Sequence, residues 1–248
     1  MSNIKIENLS VKFESKKKPT VVALDNVSLD IKDATLNVIV GYSGCGKTTL
    51  LRSIAGLQEY EGYIYFDGVD GDTLSVQQRN VSMVTQNYVL YRTMTVFENI
   101  AFPLTIAGAS KEEIIERVYY VAERLGIKHC LSRKPKHLSG GQQQKVALAR
   151  ALIKKPDIYL FDEPFSNVDP QKRYEERIFI KRLMTKYHAT VIYVTHDIQE
   201  ALALADTIFI MDNGKIVMQG DPKTIFDSDN ELITSYKKMI YEEKAIKG

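Results

Sequence analysis

The sequence predicts an α/β protein: a mostly parallel sheet around a glycine-rich loop, with an antiparallel β subdomain and an inserted α-helical subdomain. Three observations predict it. Short apolar, β-branched runs alternate with segments of helical period, the pattern of a parallel sheet covered on both faces. A glycine-rich loop, Gly41-Tyr-Ser-Gly-Cys-Gly-Lys-Thr-Thr49, joins one such run to a helix. Between about residues 90 and 150 a helical block interrupts the strands.

Taken in order, Ile4 to Phe13 and Val21 to Ile31 alternate apolar and polar residues like paired strands, with Glu14–Pro19 a polar connection. Leu36–Val40 reads as a buried strand, and the helix after the loop runs from Thr48 to Leu57, with Leu50, Leu51, Ile54 and Leu57 at helical spacing. Gly62–Phe66 is a strand closed by the turn pair Asp67-Gly68. Val81–Thr85 is a short strand leading to Gln86. In the helical block, Lys111–Leu125 keeps one apolar face and stops at Gly126, a C-cap signal. Strand Ile158–Phe161, a helix from about Pro170 to Tyr187, strand Thr190–Thr195, a short helix, and strands Thr207–Met211 and Lys215–Gln219 complete the alternation. One domain over 1–248 is expected: about 1–90 and 150–248 as the α/β core with its β subdomain, and about 91–150 as the helical subdomain.

The 248 residues, 44% of them hydrophobic, can fill a substantial core. A net charge of +2 gives no broad basic field, which argues against a nucleic-acid partner. Cys45 and Cys130 lack metal-ligand spacing and suggest no disulfide framework; Cys45 occupies a variable slot of the loop and reads as passive. His129, His137 and His188 have no metal spacing either. The opening MSNIKIENLS carries no basic-then-apolar signal, and Ala201–Met211 is too short, and broken by Asp206, to span a bilayer. A cytoplasmic protein is expected.

Gly41, Gly46, Lys47 and Thr48 satisfy the P-loop pattern G-x-x-x-x-G-K-[ST], in the strand–loop–helix context that pattern needs. Glycines let the backbone turn sharply and aim its N–H groups inward, and the helix N-terminus adds partial positive charge. Ser43, Gly44, Cys45 and Thr49 complete the loop around a nucleotide's phosphates. Lys47 is expected to reach the β- and γ-phosphates, and the Thr48 hydroxyl to ligate magnesium.

A phosphate loop needs an acidic strand to manage the ion, and Ile158-Tyr-Leu-Phe-Asp162-Glu163 supplies one. Asp162 is the candidate for holding Mg²⁺, and Glu163, one residue on, for polarising the attacking water. Leu138-Ser139-Gly140-Gly141-Gln142 opens a second helix with the makings of an anion site. A reciprocal dimer explains two such sites, each copy's Ser-Gly-Gly closing over the other's P-loop.

P-loop, Leu-Ser-Gly-Gly-Gln, Asp162-Glu163-Pro164, Ser166-Asn-Val-Asp169 and His196 stand in the order seen in ATP-binding cassette (ABC) ATPases, and the resemblance covers essentially the whole chain. It implies a P-loop NTPase (RecA-like) core, ATP and Mg²⁺ as ligands, and hydrolysis coupled to transport. Gln86 resembles the Q-loop glutamine that contacts Mg²⁺ and water, Asp169 falls on the D-loop between the two ATP sites, and His196 resembles the switch histidine at the γ-phosphate. Phe13 stands where the family has an aromatic that stacks on adenine, though it could equally be an edge-strand core residue. Tyr42, Thr85, Arg92 and Val168 depart from the residues common at their positions; none removes a catalytic group.

The stretch from Arg79 to Leu104 is similar to the Q-loop region of carbohydrate-uptake (maltose-type) importer ATPases, as is Arg133–Leu138. That implies an importer's energy-coupling subunit at the cytoplasmic face of the membrane. Its partners are a second copy of itself or a paralogous ATPase, transmembrane permease subunits, and an extracytoplasmic solute-binding protein. Gly248 follows soon after Gln219, so the β-rich C-terminal regulatory domain of maltose-type ATPases is expected to be absent. An exporter ATPase, an ion, polyamine or osmolyte importer, and a non-transport ABC ATPase are the alternatives. Tyr88, Leu90, Tyr91 and Met94 place more apolar surface after Gln86 than a connecting loop needs. They line a groove for a permease helix or pack internally.

Overall fold

The computed structural model describes residues 3–15, 18–165, 170–230 and 232–238. In chain order its elements are β1 (Ile4–Ser15), β2 (Lys18–Ile31), β3 (Leu36–Val40), α1 (Lys47–Ile54), β4 (Glu61–Phe66), β5 (Val69–Asp70), β6 (Val81–Val84), α2 (Val96–Ile106), α3 (Lys111–Arg124), α4 (Gly140–Leu152), β7 (Ile158–Asp162), α5 (Pro170–Tyr187), β8 (Thr190–Thr195), α6 (Ile198–Leu204), β9 (Thr207–Asp212), β10 (Lys215–Gly220) and α7 (Pro222–Asp227). The chain forms two compact units, Met1–Arg79 with Glu175–Gly248, and Asn80–Tyr174. The second unit therefore takes in β6 and β7 as well as the helical block.

In the first unit, β3 lies between β8 and β9, parallel to both, in registers such as Val38↔Tyr193 and Val38↔Ile208. Every residue of β3 and β8 is buried, which is why both read as continuous apolar runs without alternation. Asn37 is the polar exception in β3; its amide donates to Thr35 and to the Val191 carbonyl, so its burial costs little. β10 adds an antiparallel edge on β9. The antiparallel sheet runs β2-β1-β4-β5. Its alternation slips between Ile6 and Leu9, both buried, because Asn8 at φ 53 breaks the register with β2. Asparagine tolerates that left-handed conformation better than a β-branched residue. The helix α1 stops at Ile54, short of the expected Leu57: Gly56 at φ 71 ends it, and Leu57 is 54% exposed.

In the second unit β6 and β7 pair in parallel, Val81↔Ile158 to Val84↔Phe161. β7 extends through Asp162, so a carboxylate stands at the strand's last residue. The helices α2, α3 and α4 pack on one another through Val96, Ile100, Leu104, Val118, Ala122 and Val146. Their ends are written locally. Thr95 and Glu98 form a capping box for α2, Ser110 caps α3, and Gly126 at φ 68 follows the α3 C-cap Leu125. Asn99, wholly buried on α2, accepts from the Tyr91 N–H and donates to the carbonyls of Tyr91, Met94 and Thr95, which organises the chain entering that helix.

Candidate functional site

The first unit carries the glycine-rich loop between β3 and α1. Gly46 is the N-cap of α1 at φ 110, a conformation that L side chains rarely adopt, and a Cβ there would collide with the Ala23 carbonyl. A Cβ on Gly41 would meet the Met211 carbonyl and the Cys45 sulfur. The loop is braced from outside: Gly41 N–H donates to the Thr195 carbonyl at 3.3 Å, and Gly214 N–H to the Cys45 carbonyl at 3.0 Å. Lys47 is 5% exposed, and its ammonium donates to the carbonyls of Gly41 at 2.7 Å and Tyr42 at 3.0 Å. Ser43 and Gly44 are exposed, Gly44 at φ 85, while Thr48 and Thr49 open the helix. Burial pushes the Cys45 thiol up, against the lowering pull of Lys47, so it stays protonated at neutral pH. Tyr42, where proline is common, stacks on Tyr236 with ring centroids 5.4 Å apart.

His196 follows β8 directly and is exposed, on a loop whose two neighbours are fixed. The Thr195 hydroxyl donates to Glu200 at 2.8 Å and accepts from the Asp197 N–H at 3.0 Å. Glu200, 4% exposed, also accepts from the Tyr193 hydroxyl and from Arg177, and Arg177 pairs with Asp197 at 2.7 Å. Burial, then the Glu200 charge, holds the Tyr193 phenol well above its ordinary range, so it remains a donor. Glu200→Ala is expected to cost about 3 kcal/mol, the low end for breaking a buried ion pair, since Asp197 still faces Arg177. Urea unfolding measures it; a loss below about 1 kcal/mol would mean that water already reaches the network.

Phe13 on β1 is 45% exposed beside the exposed Val21 and Val22, so it is not a core residue.

The second unit carries the carboxylates and the Ser-Gly-Gly segment. Asp162 is 6% exposed, and Glu163 follows it at φ 44, a strained turn for a residue with a side chain. Gln86 is exposed in a turn after β6. Ser139 caps α4: its hydroxyl accepts from the Gln142 N–H, and the Gln142 side chain accepts from the Ser139 N–H at 3.0 Å. Among the described residues a Cβ built on Gly140 or Gly141 meets nothing within 4 Å, and neither has positive φ. The described residues give no packing or backbone reason for glycine at either position. Among the described residues no three His, Cys, Asp or Glu side chains group as a metal site. Asp169 lies outside the described residues.

Tyr88 corrects the reading of an exposed apolar cluster: it is 6% exposed, and its hydroxyl donates to the Pro164 carbonyl at 2.9 Å. Tyr91, 40% exposed, packs on Phe102. Arg177, Glu200, Asn99 and Arg150 went unnoticed in the sequence. For Glu200 a signal existed, an acid three residues after the N-cap Asp197, but it reads as ordinary helix capping.

Comparison with known proteins gives the family. A family model described as ABC transporter matches residues 24–166. YurJ of Bacillus subtilis (strain 168), an uncharacterized ABC transporter ATP-binding protein, is 45% identical over 220 residues, covering 88% of this chain and 60% of its own. The trehalose/maltose import ATP-binding protein MalK of Thermococcus litoralis is 44% identical over 214 residues, 84% of this chain and 58% of that protein. This chain thus spans about three fifths of the length of these curated relatives. Among solved structures, the dimeric post-hydrolysis state of the ATP-binding cassette MJ0796 bound to ADP and Pi aligns with a TM-score of 0.80 at 30% identity. The alignment covers 88% of this chain and 98% of that one. With more than half of its length matched by the family model and 45% identity to a relative, the chain belongs to the ABC transporter family.

Proposed function

We propose that this chain is the ATP-binding, ATP-hydrolysing energy-coupling subunit of an ABC importer for carbohydrate. The loop that opens α1 carries the reading: Gly46 at φ 110, the buried Lys47 and a helix N-terminus supply the backbone dipoles and point charge that phosphates require. The ADP and Pi in the MJ0796 cassette support ATP as the substrate, and the name of MalK supports sugar import.

In this reading Gly41, Ser43, Gly44, Cys45, Gly46, Lys47, Thr48 and Thr49 hold the phosphates, and the exposed face of Phe13 stacks on adenine. Thr48, Asp162 and Gln86 all offer oxygen donors, the chemistry that suits Mg²⁺. Such ions keep waters and phosphate oxygens and need only one or two carboxylates, which accords with the lack of a clustered protein site among the described residues. When bound, the ion neutralises charge developing on the phosphoryl oxygens. Glu163 orients the attacking water and accepts its proton, Gln86 helps to place that water, and His196 hydrogen-bonds the γ-phosphate. The D-loop role of Asp169 rests on the resemblance alone.

Ser139, Gly140, Gly141 and Gln142 act in trans, closing over ATP held by a second copy or a paralogous ATPase. The dimeric state of MJ0796 supports this pairing. Permease subunits, an extracytoplasmic solute-binding protein and a place at the cytoplasmic face of the membrane complete the assembly. Among the described residues no helix is long and apolar enough to cross a membrane.

The purified chain should hydrolyse ATP and pair when ATP is bound. Gly141→Ala tests the trans role, because its new methyl meets nothing among the described residues. Thermal stability should hold, or rise by up to about 1 kcal/mol as glycine leaves a helix. ATP-driven pairing, followed by sedimentation, should weaken by at least about tenfold, roughly the equivalent of 1.4 kcal/mol. Unchanged pairing would place the contact elsewhere.

A further inference from the structure

We propose that Arg150 and Tyr88 form a positioning linkage that ties the helix opened by Ser139 to the Gln86 loop, and that loop to the turn bearing Glu163. The inference rests on the roles of Gln86 and Glu163 proposed above and adds residues that neither the P-loop nor the Ser-Gly-Gly motif contains.

Arg150 stands near the C-terminal end of α4. Its two terminal nitrogens donate to the carbonyls of Val89 at 3.0 Å and Tyr88 at 3.2 Å, while the guanidinium lies 5.5 Å from the Tyr91 ring centroid. The peptides it grips are in sparsely populated conformations, Tyr88 at φ 57 and Val89 at φ 24. A β-branched residue at positive φ persists only where its surroundings over-determine it. Within the loop itself, Tyr88 N–H donates to the Thr85 carbonyl at 3.0 Å and Val89 N–H to the Asn87 carbonyl at 2.7 Å. The first of those bonds closes a turn around Gln86, so the loop that bears it is a small knot held by a cation from a different element.

Tyr88 carries the linkage onward. Its ring is buried, and its hydroxyl donates to the Pro164 carbonyl at 2.9 Å. Proline has a fixed φ, so anchoring its carbonyl leaves few soft torsions between that anchor and the preceding Cα. That Cα belongs to Glu163, itself at φ 44. A shift of α4 along its axis is thereby delivered to the carboxylate turn through Arg150, the Tyr88 backbone and the Tyr88 hydroxyl. Neither residue is a catalytic residue; each acts by placing others.

Tyr88→Phe removes one hydroxyl and keeps the ring. In steady-state ATP hydrolysis by the purified chain, kcat should fall about tenfold, less than the ~10²-fold that a 1 Å misplacement can cost. KM and the nucleotide Kd should stay within about twofold, as for an interaction made only in the transition state. Arg150→Met should do the same at least as strongly, and Arg150→Lys should recover part of the rate because a point charge can still serve one carbonyl. The double variant Tyr88→Phe with Arg150→Met should lose less than the product of the single losses, since the two act in series. Val118→Ala, a wholly buried change in α3, is the control for lost stability: it should lower the melting temperature with kcat unchanged.

The linkage is overturned if Tyr88→Phe keeps kcat within about twofold of the unsubstituted chain, or if Val118→Ala lowers kcat as much at equal loss of stability. Glu163→Gln separates this from the reading beneath it. If Glu163→Gln is inactive while Tyr88→Phe is normal, the linkage alone fails; if Glu163→Gln hydrolyses ATP normally, both fail.

Discussion

Glu163→Gln should abolish turnover while leaving ATP bound. The substitution keeps the shape of the side chain, and the strained turn at φ 44 that aims it is a property of the backbone after β7. What disappears is the negative charge proposed to accept a proton from the attacking water. General-base catalysis contributes about 10²–10⁴-fold, so the rate should drop by at least about 10²-fold. Affinity should hold or improve, because a carboxylate near the phosphates repels them and an amide does not. The variant should accumulate as an ATP-loaded dimer, and that state is the informative one. Single-turnover hydrolysis and sedimentation with ATP read the two effects separately. A rate within about tenfold of the unsubstituted chain would remove Glu163 from the role of base, whatever happens to the dimer.

The candidate site was legible in the sequence where its logic is local. From Gly41 to Thr48 the spacing, the strand before it and the helix after it are one contiguous stretch, and a backbone turn of that kind allows few residue types. Asp162 was legible for the same reason, as the polar end of an apolar run. The end of α1 was not: Leu57 keeps the helical spacing, but Gly56 at φ 71 stops the helix, and periodicity counts apolar residues without seeing the dihedral that interrupts them.

Loops were the harder case. Tyr88 and Tyr91 are three residues apart in a segment without period, and nothing local says that the first is buried and the second exposed. Arg150, Arg177 and Glu200 lay hidden because a charged residue in a helix reads as solvated surface. Their surroundings include partners 20 or more positions away, as Glu200 shows with Arg177. Gly140 and Gly141 are the opposite case. The motif named them, and the structure sharpens the point, since neither packing against the described residues nor backbone conformation calls for glycine.

Lys47→Ala should lower ATP affinity by about 10- to 10²-fold, the worth of a charge-assisted hydrogen bond at about 1.5–3 kcal/mol. The side chain does two jobs, and they can be measured apart. In this structure its ammonium, 5% exposed, donates to the carbonyls of Gly41 and Tyr42 and so holds together the loop proposed to cradle the phosphates. Alanine leaves those two oxygens without that donor, which costs about 1–3 kcal/mol of stability if water cannot replace it. The second job is the point charge, and the N–H groups of the loop are dipoles that cannot supply a full unit of it. Thermal unfolding with and without ATP distinguishes the two. The loss in the absence of nucleotide reports the loop, and the loss of the ATP-induced shift, which follows RT ln(1 + [L]/Kd), reports binding. Lys47→Arg keeps a cation, but its planar fork does not fit the space of a compact ammonium, so it should recover stability more than affinity. Wild-type affinity in Lys47→Ala would mean that backbone dipoles alone hold the phosphates. The P-loop assignment would then lose the residue that separates it from any other glycine turn at the head of a helix.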